Sequence, residues 1–193
     1  MSDSPNRSFE RITRDDLARL VRLALDDFDD FFTRYPQHPY HGQLRLICLL
    51  QTAAKHYVDP DHCLEPNQTW GGVNDFDVCG FFEAVPRRQL CPRRRSTVDF
   101  GPSKFGRNPD DGEHFKGRRV DVLWRSINMR ASETPIESVQ RYLRNAPANS
   151  SARLWVAKPV IALWPYEDFD RTIWRPPSPS QLSAPTRDEQ GRP

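Results

Sequence analysis

Three aspartates are placed as if to share one job. Asp75 and Asp77 stand two apart in Asp-Phe-Asp-Val, and Asp121 sits inside Arg-Val-Asp-Val. Residues i and i+2 of a strand project to the same face, so a strand through Asp75 and Asp77 holds two carboxylates a few ångströms apart. A neighbouring strand through Asp121 adds a third. With no evident basic neighbour expected for them in either strand, the charges call for a hard cation. Mg²⁺ or Mn²⁺, taking oxygen ligands and completing its shell with water and phosphate, fits that need. Such a centre serves phosphoryl or nucleotidyl transfer.

The elements that must position these residues can be read from local signals. Thr13 with Asp16 forms a capping pattern ahead of Leu17, Leu20, Val21, Ala24, Leu25, Phe28, Phe31 and Phe32, which predicts a long amphipathic helix over 14–35, stopped by Pro36 and Pro39. Residues 44–50 form an apolar run that reads equally as a buried strand or as the start of a helix continuing through 57. Phe76, Val78 and Gly80 alternate with Asp75, Asp77 and Cys79, and Val120, Val122 and Trp124 flank Asp121; each pattern predicts a strand with one apolar face. Thr134-Pro135-Ile136-Glu137 is a second capping box with Pro at the first helical position, opening a helix over 135–144. A shorter helix is expected over 151–157 and a last strand over 160–164.

The expected fold is α+β, a small mixed sheet flanked by helices: a flexible arm over 1–12, one domain over 13–165, and a disordered Pro-rich tail over 166–193. With 193 residues and 37% hydrophobic content, one domain has an ordinary core. No run approaches the roughly eighteen apolar residues of a membrane span, and the Met-Ser-Asp-Ser-Pro start lacks the basic and apolar regions of a secretory signal. The four irregularly spaced cysteines read as reduced thiols, so a cytoplasmic protein without membrane contact is expected.

A net charge of +2 is too small for a general nucleic-acid binder. Charge is nevertheless clustered: ten Lys and Arg face four acids between Pro86 and Arg119. Within that stretch Gly101-Pro102-Ser103-Lys104-Phe105-Gly106-Arg107 combines flexible backbone, a hydroxyl and two cations, a composition suited to holding phosphate through Ser103, Lys104 and Arg107. His56 and His62 read as surface or capping residues.

In the order of these features the chain resembles the nucleotidyltransferase fold of the DNA polymerase beta type. That family has a helix leading into a strand that ends in a Gly-Ser turn, a second strand with Asp-x-Asp, and a third with one more carboxylate. The counterparts here are the helix over 14–35, the strand over 44–50, Asp75 with Asp77, and Asp121; Gln51-Thr52 stands where the family has Gly-Ser. The resemblance covers roughly residues 14–125. It implies Mg²⁺ or Mn²⁺ on Asp75, Asp77 and Asp121, a nucleoside triphosphate (NTP) as donor, and an acceptor that is a protein, an RNA or a small molecule. Thr52 would supply the family's hydroxyl, with Ser103, Lys104 and Arg107 meeting the remaining phosphate charge. Two alternatives stand beside this one: a non-catalytic descendant that binds nucleotide, nucleic acid or protein, and another Asp-x-Asp metal enzyme of glycosyltransferase or nuclease type.

Overall fold

The computed structural model describes residues 10–62, 73–85, 95–147, 150 and 152–177. It is an α+β fold in which one six-stranded mixed sheet carries helices on both faces. The elements in chain order are α1 (Arg14–Arg34), β1 (Leu44–Leu50), α2 (Gln51–Val58), a 3-10 turn (Pro60–His62), β2 (Asp75–Glu83), β3 (Arg95–Asp99), β4 (Arg119–Ile127), α3 (Pro135–Arg144), α4 (Ala152–Val156), β5 (Val160–Trp164), a second 3-10 turn (Tyr166–Asp168) and β6 (Arg171–Trp174). Across the sheet the order is β3-β4-β2-β1-β5-β6. Only β2 and β4 run parallel; all other neighbours are antiparallel.

Both long helices begin where their capping residues require. Thr13 Oγ1 accepts from the Asp16 amide at 3.3 Å while Asp16 Oδ2 accepts from the Thr13 amide at 2.8 Å, so two of the orphan donors at the start of α1 are satisfied reciprocally. Thr134 and Glu137 repeat the arrangement for α3. The ambiguous apolar run resolves as strand and then helix: β1 ends at Leu50, and α2 starts at the next residue.

Alternation along the strands divides the core in two. Phe76, Val78, Phe82, Val120, Val122 and Trp124 face α1 and pack against Leu17, Leu20, Ala24, Phe28 and Phe32. Cys79, Phe81 and Ile127 point the other way, towards Ile136, Val139, Leu143 and Trp155 of α3 and α4. Phe28 approaches β2 so closely that a Cβ on Gly80 would lie 2.5 Å from its ring, which is why the strand has a glycine there. Edge-to-face contacts of Phe28 with Phe82 and Trp124, at 5.4 and 5.3 Å between centroids, fix the ring in place.

The ends of the described chain differ from expectation. Ile12, assigned to the loose arm, is buried in the core beneath α1. The strand over 160–164 is not the last, because β6 pairs antiparallel with β5 and buries Ile173. The tail boundary at 166 was set by prolines, yet Pro176 is the first of them after the 3-10 turn, and Thr172-Ile173-Trp174 ahead of it is β-branched and aromatic enough to add a strand. Residues 1–9 and 178–193 of the expected arm and tail lie outside the described residues. Among the described residues no helix is long and apolar enough to cross a membrane.

Candidate functional site

The parallel register between β2 and β4 sets Asp75 opposite Arg119 and Asp77 opposite Asp121. Thr97 of β3 pairs with Asp121 on its other side, and Leu50, the last residue of β1, pairs with Asp77. One row across the sheet therefore reads Thr97, Asp121, Asp77, Leu50, all on the face that carries α3 and α4. Phe76, Val78, Val120 and Val122 are held in the opposite core, so the aspartates cannot turn away without unpacking it.

Asp121 is fully buried and its carboxylate is satisfied from both sides of the strand. Thr97 Oγ1 donates to Oδ1 at 3.0 Å, and Arg95 Nη2 donates to Oδ2. Arg119, two residues earlier on the same face, places Nε 3.6 Å from Asp121 Oδ1, donates from Nη2 to Asp75 Oδ2 at 3.0 Å, and brings Nη1 within 3.5 Å of Asp111 Oδ1. The carboxylates thus have basic neighbours, contrary to the sequence reading, and two guanidinium groups supply part of the countercharge. Among the described residues no group of three or more His, Cys, Asp or Glu is arranged to hold a metal ion. Arg119 contacts both Asp75 and Asp121.

Asp77 has a different environment. Burial pushes its carboxyl up to about 7, and the charges of Asp75 and Asp121 add to the shift, with Arg95 and Lys158 opposing it. Asp77 and Asp75 are hard oxygen donors on one face, and the raised affinity of Asp77 for a proton is an affinity for positive charge that a divalent cation would also satisfy. Asp75 and Asp77 are the two carboxylates a hard cation would meet on this face, with Asp75 Oδ2 already bonded by Arg119 at 3.0 Å. Asp121, buried with both oxygens engaged, is better placed to hold Arg95 and Arg119 than to coordinate.

The turn from β1 into α2 abuts this row. Gln51 has φ 56, the left-handed conformation that glycine adopts without strain, at the position where the resembled family has Gly. Thr52 follows, and its Oγ1 accepts from Lys158 Nζ at 2.7 Å. Lys158, just before β5, thereby connects the turn to the charge field of Asp77.

The remaining expected phosphate contacts lie elsewhere. Lys104 pairs with Asp16 at 2.8 Å, docking its loop on the start of α1. Arg107 donates to the Asp111 carbonyl at 3.1 Å, and the Ser103 hydroxyl is buried without a partner among the described residues. None of the three bonds the aspartate row; the loop reaches it through Asp111 and Arg119. Arg95, Thr97, Arg119 and Lys158 were missed by sequence reasoning. Arg119 carried a usable signal, since its i−2 spacing from Asp121 mirrors that of Asp75 from Asp77. Lys158 carried none, because only the sheet order brings β5 next to β1 and α2. Comparison of the chain with protein-family models, curated proteins and solved structures finds no match.

Proposed function

We propose that the protein is a metal-dependent nucleotidyltransferase-like enzyme that moves a nucleoside monophosphate from an NTP to an acceptor hydroxyl, forming the acceptor O–Pα bond, breaking the bond from Pα to the bridging oxygen and releasing pyrophosphate. The observation that carries this reading is the in-register pair Asp77 and Asp121 on parallel strands beside a left-handed Gln51-Thr52 turn, in the chain order of the resembled family. Asp75 and Asp77 would hold Mg²⁺ or Mn²⁺, which when bound neutralises phosphate charge and orients the attacking oxygen. Asp121 keeps Arg95 and Arg119 at the row, where their guanidinium groups face incoming phosphate. Lys158 fixes the Thr52 hydroxyl at the helix start. The acceptor is a protein, an RNA or a small molecule with a free hydroxyl.

The test is transfer of label from each of the four α-labelled NTPs in cell extract, with Mg²⁺ or Mn²⁺ and with chelator, using Asp77→Asn as control. Metal-dependent labelling lost in the variant supports the reading. Absence of labelling with every NTP and both metals, from protein that is folded, defeats it.

A second reading, a non-catalytic descendant that binds nucleotide or a partner, is favoured by the ion pairs of Arg119 with Asp75 and Arg95 with Asp121, which already occupy carboxylate oxygens. Calorimetry separates the two. NTP binding that persists in chelator, without labelling in extract, would favour the descendant. Binding that requires Mg²⁺ and is tightened in Arg119→Ala, where Asp75 is freed, would favour the enzyme.

A further inference from the structure

The aspartate row has cations at both ends, and the two ends differ. On the β4 side the guanidinium groups already hold carboxylates: Arg95 pairs with Asp121, and Arg119 with Asp75 at 3.0 Å, Asp111 at 3.5 Å and Asp121 at 3.6 Å. On the α2 side stands Lys158. Its ammonium donates to the neutral Thr52 hydroxyl at 2.7 Å, and among the described residues it forms no ion pair. That bond engages one of three donors, so the others are available to an oxygen anion. Lys158 also opposes the upward shift of the Asp77 carboxyl, which places its charge beside the row.

The corner that carries Lys158 is fixed. Its backbone amide donates to the Trp155 carbonyl at 3.2 Å, Trp155 and Val160 on either side are 2% and 0% exposed, and the Trp174 indole donates to the Val156 carbonyl at 3.0 Å, fastening the corner to β6. The lysine itself is half-buried. Its flexible four-carbon stem lets the head trade the Thr52 hydroxyl for a phosphate oxygen while the backbone stays in place. Such a trade is unequal across the row. At Arg95 a phosphate would displace Asp121, which is 0% exposed, and strip a buried carboxylate of its partner; at Lys158 it displaces a hydroxyl.

We propose that Lys158 binds the β- and γ-phosphates of the donor NTP, so that pyrophosphate leaves on the α2 side of the row and the acceptor hydroxyl arrives from the β3–β4 side. This deepens the transferase reading and rests on it. In an in-line displacement the attacking and leaving oxygens lie on opposite sides of Pα, and the two ends of the row supply those sides. When the bond from Pα to the bridging oxygen breaks, its electron pair stays on pyrophosphate, and Lys158 meets that charge as an ammonium, giving up no proton. The acceptor proton goes to water; the His56 ring, expected at the surface, is 1% exposed with both nitrogens buried and cannot take it.

Calorimetry of the full-length protein with tripolyphosphate and with each of the four NTPs, in Mg²⁺, is the test. For tripolyphosphate and for any NTP the parent binds, Lys158→Met should raise the dissociation constant by about tenfold or more, as loss of a charge-assisted contact requires. Lys158→Arg, which keeps the charge but changes the shape, should recover most of that loss, and the unfolding midpoints of the unliganded proteins should not track the affinities. Lys104→Gln/Arg107→Gln should bind as the parent does. Lys158→Gln repeats the measurement should the Met variant not fold. The proposal is overturned if folded Lys158→Met or Lys158→Gln binds tripolyphosphate as tightly as the parent, or if affinity falls only in Lys104→Gln/Arg107→Gln; metal-dependent labelling by the parent would then leave the transferase reading standing. A parent that binds neither tripolyphosphate nor any NTP overturns both.

Discussion

Asp77 is the residue whose chemistry the fold alters most. Its folded-state value near 7 lies above the ordinary 3.8, because burial and two neighbouring carboxylates disfavour the charged form. A raised value means that the stabilising contribution of the neutral form is complete below about pH 4 and is lost as pH rises through 7. Asp77→Asn removes that loss. In chelator, the variant should match the parent near pH 4 and exceed it above pH 7 by on the order of 1–4 kcal/mol, measured by urea unfolding at each pH. Parallel stability curves would show that Asp77 is not shifted. Added Mg²⁺ should narrow the gap if the ion takes up the charge between Asp75 and Asp77. What the sequence carried at this scale was the spacing of the acids; what it hid was their company. Asp75, Asp77 and Asp121 follow from period-two patterning, whereas Arg95 on β3 and Lys158 just ahead of β5 are brought in by a sheet order that local sequence does not define.

At the scale of elements, α1 and β2 meet at Gly80 and Phe28. A methyl at position 80 has no space unless the Phe28 ring shifts out of its contacts with Phe82 and Trp124. Gly80→Ala should cost about 1–3 kcal/mol, and Phe28→Leu in the same chain should recover part of that loss; thermal unfolding of both variants checks it. The helices were legible because caps are local: Thr13 with Asp16 and Thr134 with Glu137 announce themselves within four residues. The β1–α2 boundary was not, since a buried strand and a buried helix are equally apolar and only the left-handed Gln51 marks the change. Glu133, in the connection between β4 and α3, is a second carboxyl whose titration the fold shifts. Bonds from Arg141, and also from Ser138, hold its carboxyl down to about 2, so the tie between the β4–α3 connection and its helix should be present above pH 4.5 and fade as pH falls through 2. Loss of α3 amide protection at pH 2 but not at pH 5, followed by hydrogen exchange, is the expected result.

For the whole molecule, β6 is the last described element, and its pairing can be tested by truncation. Ending the chain after Pro177 leaves every described strand pairing in place and should preserve soluble expression and far-ultraviolet circular dichroism. Ending it after Asp170 removes Ile173 from the core and leaves β5 paired with β1 alone, as a bare edge, and should sharply lower soluble yield. The other boundary of the sheet has a consequence for the aspartate row. β3 is five residues long and among the described residues pairs on one side only, with β4, yet it donates both Thr97 and Arg95 to Asp121. Short outer strands open more often than central ones, so amides over 95–99 should exchange faster than those over 76–82 under native conditions. Each opening would uncover a carboxylate that is otherwise sealed and strip it of its donors. The integrity of the row is therefore governed by the small free energy of fraying one strand, and it can be lost at temperatures or denaturant concentrations where the rest of the molecule is still native.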